Sequence, residues 1–547
     1  MSESTTIQDD GKDWQRWLSP ALLVLLLLYF GLVYHGTISM TEGVNAERDG
    51  FYHARYAQLL PERGLSREFR WMQFTHWRDH FCDKDTLYHL YLAPFCRDAA
   101  EPLPGAKLAT VLLLLAALAA LYVVLRKWNV PFTLAFVALL AVGSAHFIDR
   151  MLMVRSHGLS VVLTILAAHV ILKRRFWPCV LMAGIYAWSY SVPLVMLIAA
   201  LAIEFGRFML DRDWKSAARI PLATALGLLA GLTLHPYSPN SLASVWMILK
   251  IAWSGATHSD VELGSEFQHL TFDNAFSVSL GTTLATLFAV AGALALASGV
   301  LKNRKLSPES AGLACAALAW FTAMFVFFMR FIEYAAPLGC LAGGFVARDL
   351  LGPLPPFWKL KASTRLAACG ALAVILTGLH AFTASVVEGV AFTQMPKFRK
   401  PGGSQEENYR LWKRGRYFDG VAAWMKQNLP PRTLVANFYW DEFPELFYAA
   451  PEMNYLVGLD PTIMRLAYPE KSRALENMRT KKEPLSLDKI GALFDAEYVL
   501  FVKSRAAQFD ALKTDAARAR ILFSDDLAVL YSTHDIAPDV HVSRKKL

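Results

Sequence analysis

Long apolar runs without a charged residue constrain this chain more than any other feature of its sequence. Residues 21–34, 108–125 and 367–379 form three such runs, and their lengths are close to that of a bilayer crossing. A soluble protein would have to hide all of them in its core. Hydrophobic residues make up 54% of the 547 positions and charged residues only 18%, far from the composition of soluble proteins. The sequence therefore predicts a helical membrane protein.

Hydropathy predicts about eleven membrane spans. They are residues 18–36, 107–125, 131–149, 158–172, 176–189, 191–206, 219–235, 276–300, 310–329, 331–347 and 366–387. We interpret the first span as a retained anchor, because it follows a mixed-charge segment and lacks a small-residue cleavage site. The stretch 176–206 could be one long helix or a hairpin. A turn at 188–193 keeps its two basic flanks on one side of the membrane, and we adopt it.

Short basic clusters between alternate spans set the predicted orientation. They are Arg126 with Lys127, residues 173–175, Arg207 with Arg212 and Lys215, residues 302–305, and Lys359 with Lys361 and Arg365. By the positive-inside rule these loops are cytoplasmic. Membrane orientation thus explains the net charge of +9, and we exclude nucleic-acid binding. The short loops favour a bacterial inner membrane as the location.

Three longer segments then share the opposite, periplasmic face: 37–106, 236–275 and 388–547. We expect a membrane domain over 1–387 and a soluble α/β domain over 388–547. The tail has a helical pattern at 417–427, which ends at two prolines, and β-rich runs at 433–438, 455–458, 498–502 and 527–532. Cys82 and Cys96 lie in the first outer loop, where they could form a disulfide or remain two thiols.

The first outer loop opens with an acidic residue among aromatic and cationic ones. Residues 47–57 read ERDGFYHARYA, and further Trp, His and Arg residues follow up to residue 89. Arginine suits phosphate oxygens, aromatic faces suit sugars, and Asp49 could be a metal ligand or a general base. The alternative is an aromatic belt at the membrane interface. Composition alone leaves both interpretations open.

The pattern Asp49-Gly-Phe-Tyr-His-Ala-Arg-Tyr-Ala resembles the first acidic motif of the oligosaccharyltransferase catalytic subunits, which belong to the GT-C class of lipid-donor glycosyltransferases. The order of spans, two large outer loops and a C-terminal soluble domain is similar over nearly the whole chain. The resemblance implies a polytopic α-helical membrane protein of GT-C type. It also implies transfer of a sugar or oligosaccharide from a polyprenyl phosphate or diphosphate to a protein, lipid or polysaccharide acceptor.

The resemblance assigns roles to two carboxylates. Asp49 matches the metal-binding and catalytic carboxylate of the family. Glu266, within Gly264-Ser-Glu-Phe-Gln268, is similar to the glutamate of the second large outer loop that reaches back to the active site. Glu262 is a nearby competitor for this role. Together Asp49 and Glu266 would act in catalysis and could hold a divalent cation, Mg²⁺ or Mn²⁺.

The second acidic motif of the family should lie near 149–157, where this chain reads DRMLMVRSH and has no pair of acidic residues. Asp149 or His157 could supply a ligand to a cation, because oxygen and imidazole ligands both suit manganese. Arg150 and Arg155 would equally suit binding of the donor phosphate without any metal.

Two further motifs concern the donor and the acceptor. Arg330 lies between two spans and resembles the arginine that contacts the donor phosphate in the family; alternatively it forms an ion pair with Glu333, three residues on. Trp440 and Asp441 match part of the Trp-Trp-Asp motif with which oligosaccharyltransferases recognise their acceptor. Because the motif is incomplete, the acceptor stays open.

Two other classes of function compete with a transferase. A transporter or flippase of lipid-linked glycans would also have many spans and buried arginines, but it would carry charges near the bilayer midplane. It would not explain a soluble domain of this size or carboxylates confined to one face. A membrane scaffold whose tail binds a partner is the third possibility.

Overall fold

The computed structural model describes residues 14–44, 48–97, 100–257, 269–352, 361–394 and 404–535. The first part of the chain is helical. Its helices are α1 Trp14–Ile38, α2 Asp49–Arg63, α3 Thr86–Cys96, α4 Leu103–Lys127, α5 Thr133–Val142, α6 Ala145–Met151, α7 His157–Leu172, α8 Phe176–Ser189, α9 Leu194–Asp211, α10 Trp214–Thr233, α11 Asn240–Thr257, α12 Phe272–Ser277, α13 Leu280–Ala297, α14 Pro308–Val326, α15 Ile332–Leu351 and α16 Ala362–Gln394.

Each of the predicted spans coincides with a helix or a bent helix pair, so the helical membrane architecture is confirmed. Within the described ranges, six helices are long and apolar enough by themselves to cross a membrane, or seven if the bent pair α5 and α6 is one span. Those six are α1, α4, α10, α13, α14 and α16. Helices α7 and α8 are apolar but shorter, and α9 carries three charged residues, Glu204, Arg207 and Asp211.

Two breaks in the bundle shape the site. Helix α8 ends at Ser189 and α9 begins at Leu194, which confirms the predicted break at 188–193. Helices α5 and α6 meet at an angle of 77°. The bend lies at Gly143, whose backbone is so close to Gly281 that a Cβ added to Gly281 would lie 2.4 Å from the Cα of Gly143. Only glycine permits this approach, and it directs α6 into the bundle.

The C-terminal part forms a mixed five-stranded sheet flanked by helices, as predicted for an α/β domain. Its elements are α17 Gln405–Arg414, α18 Asp419–Asn428, β1 Leu434–Asn437, α19 Phe443–Ala449, β2 Asn454–Tyr455, α20 Pro461–Ala467, α21 Pro469–Arg479, α22 Leu487–Phe494, β3 Tyr498–Val502, α23 Lys503–Ala506, α24 Asp515–Ala519, β4 Ile521–Ser524 and β5 Ala528–Ser532. The strand order is β2-β1-β3-β5-β4. Strands β2, β1 and β3 are parallel, whereas β5 is antiparallel to β3 and β4. Four strands were predicted and β4 was missed.

The first outer loop is fixed on this sheet. The Tyr455 N–H donates to the Trp71 carbonyl (2.8 Å), and the Gln73 N–H donates to the Tyr455 carbonyl (2.9 Å). Phe69 of the loop packs against Phe447 of α19, with ring centroids 5.9 Å apart. Full burial of such a ring contributes roughly 1.5–3 kcal/mol. Loop and sheet therefore share one core, and α2 is held between the bundle and the C-terminal domain.

The two cysteines of the first outer loop, Cys82 and Cys96, are both buried free thiols. The disulfide that the sequence left open is therefore not formed in this structure. Burial, together with the nearby charge of Asp83, raises the pKa of Cys82 to about 12, so this thiol stays protonated at neutral pH.

Candidate active site

A cavity of about 270 Å³ lies where the bundle, the first outer loop and the C-terminal domain meet. Its apolar wall includes Val192, Val195 and Phe331. Its polar groups come from segments far apart in the sequence: Asp49, His53, Asp83, Lys84, Asp85, Arg155, His157, Arg330 and Asp460. An apolar cavity with a few convergent polar groups is the usual form of a small-molecule site.

Five of the eight residues proposed from the sequence line this cavity: Asp49, Arg155, His157, Arg330 and Trp440. Two others, Arg150 and Asp441, are not among its lining residues. The eighth, Glu266, lies outside the described residues, as does its competitor Glu262.

Asp49 and Arg155 form an ion pair on the cavity wall, which we call the cavity pair. Arg155 Nη2 lies 3.2 Å from Asp49 Oδ2, and the two side chains are 18% and 17% exposed. Asp49 is the first residue of α2, where the helix dipole stabilises a negative charge. The pair places a guanidinium, a group that suits phosphate oxygens, on the cavity wall.

Arg150 lies instead in a buried ion pair with Glu333, which we call the buried pair. Arg150 Nε donates to Glu333 Oε1 at 2.9 Å, and the side chains are 4% and 0% exposed. The inward course of α6 explains this position. It favours a structural role for Arg150 over the predicted contact with the donor phosphate.

Arg330 reaches the cavity from the short segment before α15. Its Nη2 donates to the hydroxyl of Tyr190 (3.1 Å), and this hydroxyl donates to Glu333 Oε2 (3.3 Å). Tyr190 thus connects Arg330 to the buried pair. Glu333 forms its ion pair with Arg150. The sequence spacing suggested only Arg330 as its partner.

The residues proposed as metal ligands do not form a ligand set by themselves. Across the described ranges, no group of three or more His, Cys, Asp and Glu side chains could hold a metal ion. Asp49 is paired with Arg155, and His157 Nε2 is hydrogen-bonded to the carbonyl of Arg150. These residues do not fit a divalent cation without further ligands, and we assign no step to one.

The C-terminal domain contributes Trp440, which lies in the short 3-10 helix Trp440–Glu442 after β1. The adjacent Asp441 binds Arg505 through two hydrogen bonds of 2.7 Å. Burial acts to raise the pKa of Asp441, but the hydrogen bonds and charge of Arg505 hold it below its ordinary value. Asp441 therefore anchors the turn that carries Trp440.

Three solved structures are similar to this one. The apo oligosaccharyltransferase of Archaeoglobus fulgidus matches with a TM-score of 0.58 and 12% identity, over 90% of this chain and 70% of that chain. The same protein tethered to an acceptor peptide with the NVT sequon matches with a TM-score of 0.54 and 14% identity, over 89% and 70%. Apo ArnT of Cupriavidus metallidurans matches with a TM-score of 0.53 and 12% identity, over 94% of this chain and 99% of that chain. No protein-family model and no curated protein matches.

The chain has the GT-C fold. Sequence reasoning missed a second polar group of the cavity, the run Asp83-Lys84-Asp85. Alternating charges in an outer loop look like a solvated surface, yet Asp83 and Asp85 are only 2% and 4% exposed. Asp460 accepts from the Thr462 N–H at the start of α20 and also lines the cavity.

Proposed function

We propose that this GT-C chain is a membrane glycosyltransferase. It transfers a sugar or oligosaccharide from a polyprenyl phosphate or diphosphate to an acceptor protein, lipid or polysaccharide. The observation that carries the proposal is the convergence of Asp49, Arg155 and Arg330, from three distant segments, on one cavity with an apolar wall. Two of the similar structures are of an oligosaccharyltransferase, which supports the same class of chemistry.

The donor phosphate is held by Arg155 and Arg330. Guanidinium groups match phosphate oxygens in geometry and charge and keep their charge at any working pH. The polyprenyl chain lies against the apolar wall of Val192, Val195 and Phe331. The lipid thus reaches the site laterally, and its charged head stays at the polar end of the cavity.

Catalysis rests on positioning and on charge stabilisation. The two guanidinium groups stabilise the negative charge that develops on the leaving phosphate. Asp49 lies at the same wall and orients the acceptor, while Trp440 offers an aromatic face on the side of the C-terminal domain. Glu266 remains a proposed second carboxylate. If the family's divalent cation binds, Asp49 and Glu266 are its proposed ligands.

The test is a transfer assay with the purified full-length protein. Polyprenyl phosphate and diphosphate carrying a labelled hexose are incubated with protein, lipid and polysaccharide fractions from cells lacking the gene. We expect covalent label in one fraction, and no transfer by a folded Asp49→Ala variant. Movement of labelled lipid across vesicles without transfer would support the transporter alternative. If the protein neither transfers nor moves the lipid, the scaffold alternative is favoured.

We also propose that the cavity opens on the periplasmic face of a bacterial inner membrane. The support is the positive-inside charge pattern. Reporter fusions after Lys127 and after residue 404 should report opposite sides of the membrane. Fusions reporting the same side would contradict this orientation.

A further inference from the structure

Beside Asp49, two histidines and an aspartate form a hydrogen-bonded chain, and both of its ends line the cavity. His53 Nδ1 is hydrogen-bonded to His89 Nε2 at 2.8 Å, and His89 Nδ1 is hydrogen-bonded to Asp83 Oδ1 at 2.8 Å. His53 and His89 are 5% and 1% exposed, and Asp83 is 2% exposed. These three residues, which we call the His–His–Asp chain, form a continuous buried hydrogen-bonded path that begins at the cavity lining.

The carboxylate at the end of the path fixes the proton positions when both rings are neutral. A carboxylate only accepts, so His89 must carry its proton on Nδ1 and leave Nε2 as an acceptor. His53 must then donate from Nδ1. The lone pair of His53 is consequently on Nε2, the ring nitrogen that His89 does not use.

His53 lies on the same face of α2 as Asp49. It lies four residues after Asp49, and positions i and i+4 share one face of a helix; both residues line the cavity. Burial, and then the nearby His89, Arg155, Lys84 and His157, lower the pKa of His53 well below its ordinary value. The imidazole is therefore neutral at pH 7, the form that can accept a proton.

Resting on the proposed function, we propose that His53 is the general base of the transfer and that His89 and Asp83 are its positioning residues. The acceptor oxygen or nitrogen forms a bond to the anomeric carbon, and the bond from that carbon to the phosphate oxygen breaks. The electron pair of the broken bond leaves with the phosphate. The acceptor proton passes to His53 Nε2.

The path stabilises the product of this proton transfer. As His53 Nε2 gains a proton, the proton on Nδ1 moves to His89 Nε2, and the imidazolium then lies against Asp83. Asp83 Oδ2 is buried and has no hydrogen-bond partner among the described residues, so its negative charge is available to a cation formed on His89. Asp49, by contrast, already forms an ion pair with the guanidinium of Arg155.

The inference is tested with His53→Ala and His53→Gln in the same transfer assay. We expect the transfer rate to fall roughly 10²- to 10⁴-fold, the usual contribution of a general base, with unchanged binding of polyprenyl phosphate. Added imidazole should restore transfer by His53→Ala, and substituted imidazoles should restore it more as their basicity rises. A residue that only fills space would show no such dependence on basicity.

Two controls separate the roles. His169→Ala changes a histidine that accepts a hydrogen bond from Trp128 and is not among the cavity-lining residues, and it should neither slow transfer nor respond to imidazole. His89→Phe keeps a ring but interrupts the path, so transfer should slow without rescue, since His53 still occupies its place.

The outcomes distinguish this inference from the proposed function. If the wild type and both His53 variants transfer label at equal rates, the inference about His53 is wrong and the proposed function stands. Rescue that is independent of azole basicity would overturn the inference as well. Absence of transfer by the wild type with every labelled donor and fraction would overturn the proposed function together with this inference.

Discussion

The cavity pair and the buried pair each join an arginine to a carboxylate, and their arginines are five positions apart in the sequence, yet they occupy different environments. Arg155 and Asp49 are 18% and 17% exposed on the cavity wall. Arg150 and Glu333 are 4% and 0% exposed between helices. A guanidinium–carboxylate pair in a membrane protein can hold the fold or serve a ligand, and access to a cavity is what distinguishes the two.

Loss of one member of the buried pair should have the largest effect on stability. Glu333→Gln leaves the Arg150 guanidinium buried without its carboxylate, which typically costs about 3–5 kcal/mol. Unfolding of the purified protein in detergent, followed against denaturant, measures the change. A loss below about 1 kcal/mol would mean that the buried pair is no more structural than the cavity pair.

Removal of both charges of the buried pair should cost much less than removal of one. The double variant Arg150→Met with Glu333→Met replaces the pair by apolar groups of similar size, which is often near neutral. The same unfolding experiment on both single variants and the double variant gives the coupling free energy between the two side chains. Additive losses would show that the two side chains do not stabilise each other.

Loss of the cavity arginine should leave the fold nearly intact and weaken donor binding. Arg155→Ala should change the unfolding free energy by at most about 1 kcal/mol, as for partly exposed pairs. Binding of polyprenyl phosphate should weaken roughly 10- to 100-fold, the worth of a hydrogen bond to a charged group. Calorimetric titration measures it, and unchanged affinity would remove Arg155 from the donor site.

Loss of a third ion pair, Asp441 with Arg505, should have the smallest effect on stability. Its side chains are 32% and 30% exposed, so Arg505→Ala should destabilise by less than about 1 kcal/mol. It should raise the acceptor KM a few-fold by loosening Trp440, with kcat unchanged. A fall in kcat at constant KM would contradict this.

The same pair has a defined pH dependence. Arg505 holds the pKa of Asp441 below its ordinary value. The contribution of this ion pair to the free energy of unfolding is therefore complete above about pH 3.9 and is lost as the pH falls further. Comparison of wild type and Arg505→Ala between pH 3 and 7 would show it. A difference that grows as the pH falls towards 3 would have the wrong sign.

The sequence predicted the elements of the fold well, because long apolar runs and β-rich runs carry their own periodicity. Strand β3 has the predicted bounds, 498–502, and the break before α9 lies at 188–193 as expected. Strand β4, Ile521–Ser524, was missed.

The site was only partly predictable, since cavity lining depends on tertiary contacts. Asp49 and Arg330 were found through their place at span ends. Nothing local separates Arg150 from Arg155, because the close contact of Gly143 with Gly281 that turns α6 inward joins residues far apart in the sequence. Asp83 was missed for a similar reason, as its burial arises only from the packing of the outer loop.

The central claim is that the cavity binds a lipid phosphate between Arg155 and Arg330. The most direct measurement is an experimental structure of the full-length protein in a lipid nanodisc with polyprenyl phosphate. We predict phosphate density within hydrogen-bond distance of both guanidinium groups, with the prenyl chain along Val192, Val195 and Phe331. Lipid bound only on the outer surface of the bundle, with neither arginine in contact with phosphate, would contradict the account.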